Sequence, residues 1–285
     1  MLTVTVNGIS AHVSESGEGE PVVLLHSGAG EARDWRRFKA ELPAGYRCAA
    51  LDFYGCGGTP PWPGAAALTI DDQVHLVATL VRSIGMPVHL CGHSYGGAIA
   101  LRLVVTQPEL VRTLSLIEPQ CYLLLRETGD PLFEVSESLW NSFCAALERG
   151  EPERGWRQFI DFYSGDGFWD RLRPEVRASF LAASPIERWA VLFSNPTTVD
   201  DVRRVQVPTL VLCGESTTAP ERRMCEIIAG ATPRATLGML PAAGHMSPIT
   251  HPKEVAGRIA RHISTHLGAS RQLQGSEAHH SGRRG

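Results

Sequence analysis

Short apolar segments alternate with longer amphipathic segments along most of this chain, and this alternation constrains its fold more than any other feature. A short segment that is apolar throughout is typical of a strand buried on both faces, as in a parallel sheet. Six segments fit this description: Pro21 to Leu25, Tyr46 to Leu51, Pro87 to Cys91, Thr113 to Ile117, Thr209 to Cys213 and Ala235 to Leu240. Helical patterns occupy several of the intervals, at Trp35 to Leu42, Ile70 to Ile84, Tyr95 to Thr106, Glu221 to Ile228 and Pro252 to His266. The alternation predicts a doubly wound α/β fold.

The N-terminal residues predict a β-hairpin. Leu2 to Val6 and Ser10 to Glu15 flank Asn7-Gly8, a dipeptide that supplies the positive φ angles of a tight turn. The segment Met1 to Ser10 alternates Val and Thr and lacks the basic and apolar regions of a secretory signal. No apolar run approaches the roughly 20 residues needed to cross a bilayer. We therefore expect a cytoplasmic protein with no membrane partner.

The composition narrows the classes of partner. A 43% hydrophobic content over 285 residues can fill a real core. The 27 basic and 30 acidic side chains leave a formal charge of −3, so we expect no nucleic-acid partner. The seven cysteines form no Cys-x-x-Cys pair, and the eleven histidines form no His-Glu-x-x-His motif. We expect buried thiols in a reducing compartment, no metal, no cofactor, and a small-molecule substrate.

One interval breaks the alternation. From Gln120 to Val205 there is no clear buried strand, yet thirteen of the twenty aromatic residues fall there. The helical spacing of rings such as Phe159 and Tyr163 predicts that most of them form the core of a small helical insertion. Others are expected to line a pocket against the sheet, and Trp140 and Trp169 are the candidates for substrate contact.

The predicted division into domains follows from this interval. Residues 1–119 and 206–267 would form the α/β core, and residues 120–205 a helical cap. Within residues 268–285, Leu273 is the one aliphatic residue larger than Ala. Residues 268–285 are therefore predicted to be a disordered tail.

The strongest chemical signal is Gly92-His93-Ser94-Tyr95-Gly96, which follows one predicted strand and opens the next predicted helix. A sharp turn between the two would hold Ser94 in a strained conformation that only small flanking residues tolerate, and Gly92 and Gly96 supply them. The hydroxyl would project at the carboxyl end of the sheet, beside a helix N-terminus that favours negative charge. Ser94 is therefore the candidate nucleophile.

A serine hydroxyl is a poor nucleophile at neutral pH and needs a positioned base. His245 follows the predicted strand Ala235 to Leu240 through a short loop, which would deliver its imidazole to the same sheet edge as Ser94. His26 ends an earlier strand and is interpreted as shaping its loop. His245 is therefore the candidate base.

Acyl transfer develops an oxyanion, which requires two hydrogen-bond donors aimed at it. The loop His26 to Gly30 would run beside the nucleophile turn. The backbone N–H groups of Gly28 and Tyr95 are the natural pair of donors. Ser27 and His93, which lie in the same two loops, are further candidates for substrate binding.

Together these segments resemble the α/β-hydrolase fold superfamily over about Val4 to His266. The matching motifs are His26 to Gly30, Asp52 to Thr59, Gly92 to Gly97, Pro208 to Gly214, and Gly244-His245 with Pro252 beyond. The resemblance implies a mostly parallel eight-stranded sheet flanked by helices and a helical cap inserted after the sixth strand. It also implies a catalytic triad in the chain order Ser, acid, His. Relatives usually carry His-Gly at the oxyanion loop, where this chain has His26-Ser27, so Ser27 would add a hydroxyl to the pocket floor.

The acid of the triad departs from the pattern of the superfamily. Relatives usually place an Asp three residues after the Gly that ends the seventh strand, and here that position is Thr217. Glu118 directly follows the sixth predicted strand, where a minority of the superfamily carries its acid. Glu215 directly follows Gly214 and is the alternative, although relatives that keep the usual Asp often have Glu there too. We prefer Glu118 as the acid. The possibility that neither carboxylate is the acid of the triad stays open.

Three functional hypotheses follow. The first is a serine hydrolase that cleaves a small apolar or aromatic carboxylic ester, thioester or lactone through an acyl-enzyme on Ser94. The second uses the same Ser–His pair to break a carbon–carbon or carbon–nitrogen bond, as a hydrolase or lyase. The third is a ligand-binding or receptor protein with little turnover. The fold does not choose among them, and the sequence leaves the oligomeric state open.

Overall fold

Strands in two sheets form the centre of the computed structural model, which describes residues 4–182 and 186–281. The strands are β1 (Val4–Val6), β2 (Ile9–Ala11), β3 (Val13–Ser16), β4 (Glu20–Leu25), β5 (Tyr46–Leu51), β6 (Val88–His93), β7 (Val111–Ile117), β8 (Thr209–Gly214) and β9 (Ala235–Leu240). The larger sheet has the order β3-β5-β4-β6-β7-β8-β9. Only β3 runs antiparallel to its neighbour, so the sheet is mostly parallel. The predicted α/β fold is confirmed.

The larger sheet has seven strands in the described residues, where the resemblance implied eight. β1 and β2 instead form a separate antiparallel pair, joined by Asn7 and Gly8 with φ angles of 52° and 76°. The predicted second strand of this hairpin is interrupted at His12. The backbone N–H of His12 bonds to the Thr59 hydroxyl, and its carbonyl accepts the N–H of Asp52. These bonds separate β2 from β3, so only β3 joins the sheet.

Helices flank the sheet and form the segment between β7 and β8. They are α1 (Arg36–Glu41), α2 (Ile70–Ile84), α3 (Tyr95–Thr106), α4 (Tyr122–Glu127), α5 (Leu132–Glu148), α6 (Pro152–Ser164), α7 (Phe168–Arg171), α8 (Pro174–Ala182), α9 (Ile186–Phe193), α10 (Val199–Arg203), α11 (Ala219–Ala231), α12 (Ser247–Thr250) and α13 (Pro252–Ser281). α2 and α3 have the predicted bounds. α11 is longer than predicted at both ends. Its N-terminal extension is possible because Pro220 is compatible with a first helical turn.

Two hydrophobic cores cover the two faces of the sheet. Alternate residues of β4 divide between them, because successive side chains of a strand point to opposite faces. Val23 and Leu25 lie in the core that α2 and α3 complete. Val22 and Leu24 lie in the core that includes Phe38 of α1. The two cores hold the sheet in place, so the carboxyl ends of its parallel strands lie together at one edge.

The segment between β7 and β8 has an aromatic core of its own. Helices α4 to α10 lie in this segment. Phe143, Trp156, Trp169 and Trp189 form its buried cluster. The ring of Phe159 stacks on Trp189 with centroids 4.1 Å apart. These helices are hereafter called the cap.

The C-terminal helix extends further than expected. α13 continues to Ser281, so residues 268–281 have helical backbone where a disordered tail was predicted, and residues 282–285 lie outside the described residues. The stretch contains no proline, and its Ala, Arg, Gln and Leu residues favour helix, which allows α13 to continue. None of the described helices, α13 included, combines the length and apolar character that crossing a membrane requires.

Candidate active site

A strained turn between β6 and α3 presents Ser94. Its φ and ψ angles are 56° and −116°, a conformation that residues with a side chain seldom adopt. A Cβ on Gly92 would collide with the backbone of Gly96, and one on Gly96 would lie 2.5 Å from the carbonyl oxygen of Leu25. The N–H of Ser94 bonds to the carbonyl of Ile117 at 2.9 Å. The turn is therefore closely packed on both sides, as the glycines in the motif predicted.

Ser94, His245 and Glu118 form a continuous hydrogen-bonded chain. The distance from Ser94 Oγ to His245 Nε2 is 3.1 Å, and that from His245 Nδ1 to Glu118 Oε2 is 2.7 Å. All three residues are buried, with relative exposures of 3%, 4% and 0%. The side chains come from the ends of β6 and β7 and from the loop after β9, so the parallel sheet brings them together at one edge.

Three hydrogen-bond donors surround the Glu118 carboxylate. The backbone N–H of Gly214 donates to Oε1 at 2.7 Å, and the Thr217 hydroxyl donates to Oε2 at 2.6 Å. Burial alone would raise the pKa of Glu118, but the bonds from His245, Thr217 and Gly214 outweigh it and lower the pKa. Burial would lower the pKa of His245, and the adjacent Glu118 outweighs this and raises it. The site therefore favours an ionised Glu118 beside an imidazole that protonates readily.

Glu215 lies apart from this chain. Its side chain is exposed, and its carboxylate accepts the N–H of Ala242 at 3.4 Å. Thr217 stands at the position where relatives usually have an Asp, and its hydroxyl supports Glu118. The structure thus brings Glu118, not Glu215, into hydrogen-bonding distance of His245.

The predicted oxyanion loop adjoins the nucleophile. Ser27, Gly28 and Ser94 line one cavity together. Tyr95 is the first residue of α3, and its Cβ lies 3.5 Å from the position that a Cβ on Gly28 would occupy. The backbones of Gly28 and Tyr95 therefore lie side by side, next to Ser94.

The cavity over Ser94, here called the main cavity, has a volume of about 710 Å³. One wall comes from the loops after β4 and β5, and it is rich in glycine and polar groups. The opposite wall comes mainly from the cap and is largely apolar. Its residues include Phe159, Ile160, Phe168, Leu172, Val176, Phe180 and Trp189. Such a cavity has room for an apolar group on one side of Ser94 and a polar group on the other.

Three of the four predicted substrate-binding residues lie elsewhere. His93 is buried under the site, where its Nε2 donates to the carbonyl of His245 at 2.8 Å, and burial together with the neighbouring His245 lowers its pKa to about 3. Trp169 is fully buried in the cap, and its indole N–H bonds to Glu153. Trp140 lines a smaller cavity inside the cap. Ser27 does line the main cavity.

Four residues near the site were not predicted to belong to it. Trp189 reaches the oxyanion loop, because its Nε1 lies 2.6 Å from the position of a Cβ on Gly28. Gln120 lies two residues beyond Glu118, and its N–H bonds to the carbonyl of Ser94 at 3.2 Å. Tyr163 lies over His245, with ring centroids 4.6 Å apart. Glu221 is buried, and the Thr218 hydroxyl donates to its Oε2. Only Gln120 had a usable signal in the sequence, namely its place just after the sixth predicted strand.

Comparison with known proteins identifies the family of this chain. The sequence pattern of the alpha/beta hydrolase family matches residues 22–258. The chain belongs to this family. The matched residues include strands β5 to β9, the nucleophile turn and the loop that carries His245.

Individual members of the alpha/beta hydrolase family differ in their reactions. The lipase LipV of Mycobacterium tuberculosis is 38% identical, over 88% of this chain and 97% of that protein. The 2-hydroxymuconate semialdehyde hydrolase of Pseudomonas sp. strain CF600 is 26% identical, over 88% of this chain and 89% of that protein. The crystal structure of MGS-M2, an alpha/beta hydrolase from a Medee basin deep-sea metagenome library, superposes with a TM-score of 0.78 at 16% identity and covers 92% of this chain and 97% of that one. The relatives of this chain therefore include a lipase and a 2-hydroxymuconate semialdehyde hydrolase.

Proposed function

We propose that this protein is a serine hydrolase that cleaves a small apolar or aromatic carboxylic ester, thioester or lactone through an acyl-enzyme on Ser94. The observation that supports this most strongly is the unbroken hydrogen-bonded chain from Ser94 through His245 to Glu118. A nucleophile, a base and an oriented acid in this order form the unit that acyl transfer requires.

In the first half-reaction, Ser94 Oγ forms a bond to the carbonyl carbon of the substrate, and its proton passes to His245 Nε2. Glu118 stays ionised and accepts the N–H on Nδ1, which holds the tautomer and stabilises the imidazolium. The tetrahedral intermediate then loses its alcohol or thiol, which takes the proton from Nε2. An acyl-enzyme and a neutral imidazole remain.

The second half-reaction repeats these steps with water. His245 takes a proton from the attacking water, the acyl–oxygen bond to Ser94 breaks, and the serine recovers its proton. In both halves the carbonyl oxygen becomes negative, and the N–H groups of Gly28 and Tyr95 are the proposed donors to it. Their position next to Ser94 and at the N-terminus of α3 supports this role.

The apolar wall of the main cavity supports an apolar or aromatic acyl group. Phe159, Phe168 and Phe180 face the cavity from three different cap helices. Burial of an acyl chain against them would contribute about 25 cal/mol for each Å² of apolar surface. The polar loops on the other wall would then face the leaving group.

Hydrolysis of a carbon–carbon bond is the second candidate. The 26% identity to 2-hydroxymuconate semialdehyde hydrolase over nearly the whole chain favours keeping it. The Ser–His pair would serve that reaction too, with a carbon atom as the leaving group that takes the proton.

Turnover of matched substrates distinguishes these reactions. We expect wild-type protein to hydrolyse p-nitrophenyl esters and Ser94→Ala protein to be inactive. A protein that ignores all esters but cleaves a ring-fission dienone would support the second candidate. A folded protein that hydrolyses neither the esters nor the dienone would overturn both candidate functions. If wild type and Ser94→Ala also bound these compounds with equal affinity, the receptor hypothesis would be favoured.

A further inference from the structure

Tyr163 places a hydroxyl group in the apolar wall that the cap contributes to the main cavity. It lies four residues after Phe159 on α6, so the two rings share a helix face, and both line the cavity. The Tyr163 ring lies over the His245 imidazole. Its hydroxyl receives a hydrogen bond from Gln120 Nε2 at 2.8 Å and lies 3.0 Å from the hydroxyl of Tyr122. A polar group therefore stands in the part of the wall that adjoins His245.

The same side chains separate the main cavity from a smaller one inside the cap. The smaller cavity has a volume of about 20 Å³ and is lined in part by Gln120, Tyr122, Ser136 and Tyr163. Gln120 and Tyr163 also line the main cavity. The side chains that separate the two cavities form a partition, and the hydrogen bond between Gln120 and Tyr163 is its polar part. This part lies at the end of the main cavity where Ser94 is found.

Glu221 lies next to this partition and has no part in the Ser94–His245–Glu118 chain. It is fully buried on α11, the Thr218 hydroxyl donates to its Oε2, and its Oε1 makes no hydrogen bond of ordinary geometry. The group is close enough to the Tyr163 hydroxyl for each to alter the pKa of the other. Burial raises the pKa of Glu221 to about 7. Below that pH it is a carboxylic acid that holds a proton to donate.

The charges around Tyr163 favour a neutral ligand. Glu118 and Glu221 are both buried near it. Among the described residues that line the main cavity, Arg33 is the one Lys or Arg, and it is 76% exposed and already paired with Glu31. The imidazole of His245 also lines the cavity and is already paired with Glu118. A substrate carboxylate at Tyr163 would be buried beside two acids with no unpaired cation, which is costly. An ether, ketone or hydroxyl oxygen would avoid that cost.

We propose that the Tyr163 hydroxyl recognises a neutral oxygen atom in the acyl part of the substrate, and that the buried carboxyl group of Glu221 sets the direction of this hydrogen bond. The inference rests on the proposed ester hydrolysis at Ser94 and narrows its substrates to oxygen-bearing acyl groups. The acyl part is assigned because Tyr163 shares its helix face with Phe159, within the wall that would hold that part.

The number of protons available to Tyr163 explains the role of Glu221. A phenol oxygen has one proton to donate. When Glu221 is protonated, it and Gln120 can both donate to the phenol oxygen, and the phenol O–H is then free to donate to the substrate, in competition with the Tyr122 hydroxyl. When Glu221 is ionised, it accepts a hydrogen bond from the phenol O–H, and the substrate loses its donor. Glu221 is thus a positioning residue that acts through Tyr163.

An isosteric series of esters tests the recognition step. We would measure kcat/KM for p-nitrophenyl hexanoate and for its analogues in which an ether oxygen replaces the methylene at position 3, 4 or 5. For each protein, kcat/KM for the best ether ester is divided by kcat/KM for the hexanoate. This ether ratio is then divided by the ether ratio of Tyr163→Phe, which cancels the difference in intrinsic reactivity between the two esters. We expect wild type to exceed Tyr163→Phe about threefold to tenfold, as for the loss of one hydrogen bond. Tyr46→Phe, on the far side of the sheet, is the matched control and should keep the wild-type ratio.

The pH dependence of that ratio tests the role of Glu221. The titratable groups that face it are Tyr163 and Tyr122 from the cap, His245 from the loop after β9, Glu118 from the end of β7, and Cys225 from its own helix. We expect the ether preference of wild type to be present at pH 6 and to fall toward the Tyr163→Phe value by pH 8.5. Glu221→Gln keeps a donor at every pH and should retain the preference throughout. Glu226→Gln, an exposed change on the same helix, should behave as wild type.

The possible outcomes are separable. An equal ether ratio in wild type and Tyr163→Phe would overturn the recognition step while leaving ester hydrolysis intact. A preference with the same pH profile in wild type and Glu221→Gln would overturn the role of Glu221. Failure of wild type to hydrolyse any ester of the series would overturn the proposed function, and the inference with it.

Discussion

The sheet edge and the cap meet at the same cavity, but they are held together by different forces. At the sheet edge, backbone hydrogen bonds and close glycine contacts fix Ser94, and Glu118 receives donors from Gly214 and Thr217. In the cap, contacts between aromatic rings position the side chains, as Phe159 on Trp189 illustrates. Ring contacts tolerate changes of shape better than a turn with no room for a Cβ. We infer that the edge carries the chemistry and the cap carries the selection of substrate.

Removal of the reacting groups should have the largest effect. Ser94→Ala and His245→Ala are each expected to lower kcat by about 10⁴- to 10⁶-fold, because the two groups act as one proton-transfer unit. Purified variants assayed with p-nitrophenyl esters provide the measurement, and circular dichroism checks that they fold. Near wild-type turnover by either variant would break the assignment of chemistry to the sheet edge.

Replacement of the acid should have the next largest effect. Glu118→Gln preserves the shape of the side chain but removes the charge that orients and stabilises His245, so kcat should fall by about 10²- to 10⁴-fold with a smaller change in KM. Glu215→Gln is the matched control and should stay within about threefold, since the group is exposed and lies apart from His245. The reverse order would transfer the role to Glu215.

Truncation of a cap ring should have a smaller and selective effect. Phe159→Ala is expected to lower kcat/KM for p-nitrophenyl octanoate about tenfold more than for the acetate, because only the longer acyl group reaches the apolar wall. Phe162→Ala changes a ring of the same helix that is not among those lining the main cavity. If Phe159→Ala and Phe162→Ala each lost octanoate and acetate activity in equal proportion, the assignment of substrate selection to the cap would be wrong.

The mildest effect concerns pH. His245 must be neutral to act as a base, so kcat/KM of wild type should fall as pH drops through its raised pKa. In Glu118→Gln the carboxylate that raises this pKa is gone and burial prevails, so the acidic limb should move to lower pH. A pH–rate profile with an unmoved acidic limb would show that another group governs protonation of the base.

The sheet edge was largely predictable from sequence, because its signals are local. Each buried strand is a short apolar run, and the residue that follows it in the sequence lies at the sheet edge, as Ser94 and Glu118 illustrate. The choice of Glu118 over Glu215 needed the structure, since both follow buried strands. The separation of β2 from β3 was also unpredictable, because it depends on bonds from His12 to distant residues.

The cap was predictable as a helical aromatic segment but not in its contacts. Trp140, Trp169 and Trp189 look alike in the sequence, yet only Trp189 reaches the main cavity. Which ring faces the cavity depends on how the helices pack on one another, and no residue pattern within one helix records that. The burial of Glu221 likewise follows from packing between the cap and α11, whereas its position in the sequence is that of an ordinary first-turn acid.

Covalent labelling with a fluorophosphonate, mapped by peptide mass spectrometry, tests the central claim most directly. The probe reacts with a serine only when that serine is activated as a nucleophile, so it reports on the chain from Ser94 to Glu118 without a choice of substrate. We predict one adduct, on Ser94, that forms far more slowly in His245→Ala and Glu118→Gln and is absent from Ser94→Ala. An adduct on another residue, or labelling of Ser94 that is unaffected by loss of His245, would contradict the account.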